Sequence, residues 1–130
     1  MNANCSFKIA SWDETPCVEL EGGAKLTRAQ VTQTYSGDLL GESRVEFLMS
    51  HGSDGTAQFV GYELLSGTLA GKQGSFILQH VGTYGSRGAE SQWSIQAGSG
   101  TGDLAGIHGK GSYAATGESV EMPFSYGFDS

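Results

Sequence analysis

The sequence predicts an all-β fold, a single eight-stranded antiparallel up-and-down barrel occupying residues 1–130. Three observations predict it. Gly is abundant at 21 residues and Pro scarce at 2, a composition of many tight turns rather than of disorder. Apolar and polar residues alternate with period 2 through most of the chain, the signature of half-buried strands. A six-residue pattern recurs as SGDLLG at 36–41, SGTLAG at 66–71 and TGDLAG at 101–106.

Each copy follows one alternating segment and precedes another, so each reads as the connection of a β-hairpin. The second-position Gly is expected to supply a positive φ, the Leu to tuck inward as a plug, and the closing Gly to permit a bulge into the next strand. The third copy lies in SGTGDLAGIHGKGSY, 99–113, which superficially resembles a phosphate loop. A pyrophosphate loop needs a helix directly after it. Here Gly106, Gly109 and Gly111 follow, and each costs a helix about 1 kcal/mol relative to Ala. Lys110 precedes Gly111 rather than Ser or Thr, so the Walker pattern fails as well.

The strands follow in order. Segment 5–12 aligns Cys5, Phe7 and Ile9, with Trp12 at its end. Segment 24–35 alternates weakly, with Thr and Val suiting a strand. In 42–50, Val45, Phe47 and Met49 oppose Arg44, Glu46 and Leu48. In 56–65, Phe59, Gly61, Glu63 and Leu65 oppose Val60, Tyr62 and Leu64. In 74–84, Phe76, Leu78 and His80 oppose Ile77, Gln79 and Val81. Segment 91–98 aligns Trp93, Ile95 and Ala97, 110–117 is short, and 119–128 aligns Val120, Met122, Phe124, Tyr126 and Phe128. The links 50–55, 84–90 and 115–118 are turns at the end opposite the repeats. DETPCVELEGG, 13–23, is expected as the one long loop, lying over a barrel mouth. Pro123 lacks a ladder donor and predicts imperfect closure of the last strand on the first.

The net charge of −7, with only 7 Lys and Arg, disfavours nucleic acid and anionic membrane surfaces as partners. No run of about 20 apolar residues exists to span a bilayer. The first residues carry no basic, apolar leader pattern, so a cytoplasmic location with Cys5 and Cys17 as reduced thiols is expected. His51, His80 and His108 fall in separate segments without metal-ligand spacing, so neither metal nor cofactor is expected.

The strongest chemical candidate is Glu63 with His80. Folding the chain back near residues 71–72 places 63 roughly opposite 80, on a face shared with Phe59, Phe76 and Leu78. A carboxylate and an imidazole in an apolar interior can anchor a ligand or exchange protons near neutral pH. They can equally be a satisfied polar pair that fixes strand register. Arg44 and Glu46 read as a solvent face. Tyr35, Tyr62 and Tyr84 are placed at a mouth, and Trp12 and Trp93 in the core or cavity wall.

Several stretches resemble one family: GDLLGES, GYELLSGTLAGKQGSFILQHVGTY and GSGTGDLAGIHGKGSY are similar to the small, mainly bacterial proteins of the domain-of-unknown-function family DUF3224. The resemblance covers nearly the whole chain. It implies an eight-stranded barrel similar to allene oxide cyclase, of calycin type, and it implies no activity. Allene oxide cyclases and dirigent proteins share that barrel and handle small apolar molecules, an analogy at the level of fold alone.

The functional expectation is a small-molecule binding barrel for an apolar or amphipathic ligand. Glu63 and His80 are its polar anchor, Phe59, Phe76, Leu78, Trp93 and Phe124 its apolar wall, and Tyr62 a donor at its mouth. The alternatives are a cofactor-independent isomerase or cyclase with Glu63 and His80 as acid and base, and a packed barrel acting as an oligomeric interaction module. The apolar outer residues Ile77 and Val81 predict a homo-oligomer.

Overall fold

The computed structural model describes residues 1–117 and 119–129. The long strands are β2 (Cys5–Glu19), β3 (Lys25–Gly37), β4 (Leu39–His51), β5 (Ala57–Leu69), β6 (Lys72–Gly85), β7 (Gly88–Ile95) and β8 (Ile107–Ala115), with short strands β1 (Asn2–Ala3), β9 (Ser119–Glu121) and β10 (Phe124–Phe128). They form a ten-stranded antiparallel sheet in the order β1-β10-β8-β7-β6-β5-β4-β3-β2-β9, curled into a half-barrel.

Ten strands replace the expected eight for two local reasons. Asn4 separates β1 from β2, its N–H donating to Asp38 Oδ2 at 2.8 Å rather than to a neighbouring strand. Met122–Pro123 separates β9 from β10, because Pro has no N–H to give a ladder. On either side of that break the chain changes partner. β9 pairs with Ser6–Lys8 of β2, whereas β10 pairs with β8 and β1. At the break Met122 N–H donates to Cys5 O at 2.8 Å, and the Cys5 thiol donates to Met122 O at 3.1 Å. The expected turn at 115–118 ends on Glu118, outside the described residues.

The long loop expected at 13–23 is largely strand. β2 runs on to Glu19, which pairs with Lys25 of β3, and only a 3-10 turn at Glu21–Gly23 connects them. Bulges between Ile9 and Ser11 and between Pro16 and Val18 break the alternation and hide this strand from a period-2 reading. Beyond Lys8 the outer edge of β2 has no strand partner among the described residues. Pro16 lies on this unpaired stretch, where a missing N–H is tolerated.

The three repeats all connect hairpins at one end. Their Leu residues, Leu39, Leu69 and Leu104, are 0–1% exposed and plug that end as expected. The glycines divide the work differently. Gly37 and Gly102 have φ of 105° and 59°, but Gly67 does not adopt positive φ. Gly67 instead faces Gly41 across β4–β5, where an added Cβ would lie 2.0 Å from Leu40 O. In the β5–β6 hairpin the positive angles belong to Ala70 and Gly71, at 51° and 84°. That is the pattern of a two-residue turn matched to strand twist. The 99–113 stretch holds a 3-10 turn, Gly102–Leu104, and leads into β8, with no helix to receive a phosphate.

Inward side chains form two apolar clusters. The larger lies at the plugged end and includes Phe7, Leu39, Leu65, Leu69, Phe76, Leu78, Trp93, Ile95 and Phe124. The smaller comprises Ala29, Val31, Val45, Phe47, Met49, Ala57 and Phe59. Buried polar residues, Thr27, Gln33, Ser43, Glu63, His80 and Ser91, are distributed along the same inner faces.

Candidate functional site

The β5–β6 hairpin turns between Ala70 and Gly71, so Glu63 pairs with Leu78 and His80 with Gly61. The expected turn centre was one residue too far along, and the pair is diagonal rather than directly opposed. Diagonal neighbours on one face remain within reach of long side chains. The structure accordingly brings Glu63 Oε1 and His80 Nε2 to 2.7 Å, with each residue 1% exposed.

The pair belongs to a longer chain of contacts. Tyr35 OH donates to Glu63 Oε2 at 2.5 Å and lies 3.4 Å from Gln33 Oε1. On the other side, His80 Nδ1 lies 2.9 Å from Ser91 Oγ. With the ring proton on Nε2, donated to Glu63, Nδ1 is left to accept from the Ser91 hydroxyl. Burial pushes the Tyr35 phenol well above its usual range, and the charge of and hydrogen bond to Glu63 add to this. Burial likewise raises Tyr113, followed by the Glu63 charge, while a hydrogen bond with Ser91 works in the opposite direction. Both phenols therefore remain donors at ordinary pH. Phe47 and Tyr113 meet the His80 ring edge-on at 5.8 and 6.0 Å and hold its plane.

Beside this relay lies an open-sided cavity of about 1080 Å³, bordered by inward Thr27, Met49, Phe59, Gly82, Ser91 and Tyr113, by their outward strand neighbours Leu48, Val60 and Val81 at the rim, and, near the free edge of β2, by Cys17. Of the expected apolar wall, Phe59 borders it. Phe76, Leu78, Trp93 and Phe124 do not, since they pack in the plugged-end cluster. The reason is depth: each strand residue advances about 3.3 Å, so Phe76 lies roughly 13 Å along β6 from His80. Tyr62 is a clear correction. It alternates to the outer face, is 53% exposed, and takes no part in the interior. Tyr84 stands exposed at the strand end, and Tyr35 lies deep in the interior rather than at a mouth.

Sequence reasoning missed Ser91 and Tyr113. The signal for Ser91 was its phase, two residues before inward Trp93 and four before Ile95, which puts a hydroxyl on a buried face. Gln33, between Val31 and Tyr35, and Ser43, before Val45, carry the same signal. Ser43 Oγ and Trp93 Nε1 are buried without a hydrogen-bond partner among the described residues.

Trp12 is half-exposed, 6.3 Å from Phe47, because the free edge of β2 leaves one side uncovered. Its Nε1–H donates to Glu14 Oε1 at 3.0 Å, while Glu14 Oε2 receives Thr27 OH at 2.7 Å and stands 2.8 Å from His51 Nε2. Arg44 and Glu46 face outward as expected, and Glu46 pairs with exposed Arg28 at 3.0 Å. Cys5 and Cys17 are both free thiols. No trio of His, Cys, Asp or Glu among the described residues is placed to hold a metal ion. No helix among them is long and apolar enough to cross a membrane.

A family profile described as "Protein of unknown function (DUF3224)" matches residues 3–126. The chain belongs to the DUF3224 family. A solved structure of a DUF3224 protein of unknown function from Shewanella oneidensis MR-1 is similar to it, with 28% sequence identity and a TM-score of 0.82. That match covers 100% of this chain and 98% of the other. A comparison with curated proteins finds no match. DUF3224 membership thus carries the fold and leaves the chemistry to be argued from the site.

Proposed function

We propose that this DUF3224 chain is a single β-barrel domain that holds a small apolar or amphipathic molecule in the open half of its interior. On this reading β1 with β2, and β9 with β10, are interrupted strands. They make eight in up-and-down order, the allene oxide cyclase-like, calycin-type barrel. The observation that carries the function is the coincidence of two features: a cavity of about 1080 Å³ and, on its border, the buried Ser91 hydroxyl linked through His80 to Glu63. Phe59 and Met49 offer apolar contact, and Ser91 with Tyr113 offers the polar end a donor and an acceptor. A cytoplasmic location remains part of the reading.

Native mass spectrometry of protein purified from its own host, followed by mild release, tests this. A retained small apolar molecule, lost in Phe59→Ala, is the expected result. An empty protein that also fails to take up apolar probes at millimolar concentration overturns it.

One observation favours an additional role as a homo-oligomer. Leu48, Val60, Tyr62, Leu64 and Val81 are 47–59% exposed on the outer face. Register pairs Leu48 with Val60 and Val60 with Val81, so they form a continuous apolar patch. Sedimentation of Val60→Glu distinguishes the cases. A parent oligomer converted to monomer supports the role, and a concentration-independent parent monomer removes it.

A further inference from the structure

We propose that Ser91 is a nucleophile for acyl transfer from small apolar esters, with His80 as its general base. The proposal rests on the reading of the cavity as a ligand site and adds a reaction to it. The geometry is a three-member chain on three consecutive strands. Ser91 Oγ on β7 lies 2.9 Å from His80 Nδ1 on β6, and His80 Nε2 lies 2.7 Å from Glu63 Oε1 on β5.

The protonation logic follows from the partners. Glu63 Oε2 is already occupied by the Tyr35 hydroxyl, and Oε1 accepts from His80 Nε2. With the ring neutral, this pairing puts its one proton on Nε2 and turns the Nδ1 lone pair to the Ser91 hydroxyl. It is the tautomer a serine nucleophile needs, with the two ring nitrogens exchanging the roles they hold in the commoner arrangement. Glu63 and Tyr35 are positioning residues, since both act through His80. Their burial within strands holds the imidazole without help from loops.

Two neighbours complete the site. Tyr113, the cross-strand partner of Ser91, stands beside it on the cavity border, where its phenol can donate to a developing oxyanion. Gly82, paired with Ser91, has no side chain, and an added Cβ there would lie 2.3 Å from Phe59 Cζ. The Phe59 ring therefore lies over Gly82, next to the nucleophile, where it offers an apolar seat to an acyl chain.

In the reaction, Ser91 Oγ bonds to the ester carbonyl carbon as its proton passes to His80 Nδ1. The C–O bond to the alcohol breaks, and the alcohol departs with that proton. Water then adds to the acyl-serine through the same base, releasing the carboxylic acid and restoring the hydroxyl.

The test treats the folded full chain with a butyl fluorophosphonate and with p-nitrophenyl butyrate. A non-hydrolysable ether analogue, p-nitrophenyl butyl ether, reports cavity binding in parallel. The expected result is one phosphonyl adduct per chain on the peptide containing Ser91, and a stoichiometric p-nitrophenol burst. Both are absent in Ser91→Ala, and acylation is slowed by at least about 100-fold in His80→Asn. Glu63→Gln is expected to shift the pH profile of acylation, which a merely structural role does not do. Adduct mapping on the unmodified chain decides the case even where variants fold poorly. Ether binding without a Ser91 adduct, or an adduct on another residue, overturns the acyl-transfer proposal and leaves the cavity reading standing. Failure of both ether binding and labelling overturns the two together.

Discussion

Replacing Glu63 by Ala removes the centre of the buried relay, and its cost can be worked from the contacts. The carboxylate is 1% exposed and receives Tyr35 OH at 2.5 Å and His80 Nε2 at 2.7 Å. Its loss orphans two buried donors, at about 1–3 kcal/mol each. Truncating one side of a buried pair costs about 3–5 kcal/mol in total, in agreement with that sum. For a chain of 130 residues, each kcal/mol moves the melting temperature by roughly 3–5 °C. Glu63→Ala should therefore melt roughly 9–25 °C below the parent, a range set by those two magnitudes. Urea and thermal unfolding by circular dichroism measure it, with His80→Ala and the double variant completing a cycle. The double variant should cost at least about 1 kcal/mol less than the sum of the singles. A Glu63→Ala loss below about 1 kcal/mol, or strict additivity with His80→Ala, refutes the buried relay. Glu46→Ala, which removes an exposed pair with Arg28, serves as the control and should leave the midpoint unchanged.

Three further outcomes are expected. Gly67→Ala should destabilise by about 1–3 kcal/mol or more, because its Cβ meets backbone at 2.0 and 2.7 Å; Gly71→Ala meets nothing within 4 Å and pays only for its φ of +84°, so the order of their melting temperatures tests the tight β4–β5 approach. Burial, aided by Asp38 and Glu63, pushes the Cys5 thiol up to about 12, so iodoacetamide near neutral pH should label Cys17 alone until the chain unfolds, as peptide mapping will show. At Glu14, burial raises the carboxyl, but hydrogen bonds from Thr27, Trp12 and His51 and the His51 charge outweigh it and leave a net lowering. A lowered folded-state value stabilises above the unfolded one and is lost as pH falls through it, so Glu14→Gln should flatten the loss of urea stability on acidification below about pH 4.5, the unfolded Glu range.

Much of the interior was legible in particular residues. Phe59, Glu63, Phe76, Leu78 and His80 share the inner phase of β5 and β6 because alternation survives wherever a strand is regular. The three plug leucines were legible because the same six residues recur. The remainder failed for identifiable reasons. Register slipped by one residue because Ala70, a non-Gly residue, takes positive φ and shares the turn with Gly71. β2 was truncated because its bulges erase the period after Ile9. Period 2 reports which face a side chain takes but not its depth along the strand, so Phe76, Trp93 and Phe124 were assigned to a wall they do not form. Ser91 escaped because a small hydroxyl amid Ser and Gln residues carries no apolar contrast.

The unequal ends of the interior set a hierarchy of breathing motions. Leu39, Leu69 and Leu104 are almost wholly buried, and the amides around them should exchange with solvent only on global unfolding. The outer half of β2, paired on one side, can detach from Trp12 to Glu19 at a fraction of that free energy. Such sub-global opening loosens the rim without disturbing the plug, so native-state proteolysis should nick this segment first. Fraying of this one strand, rather than a hinged element, then widens the already open side of the interior.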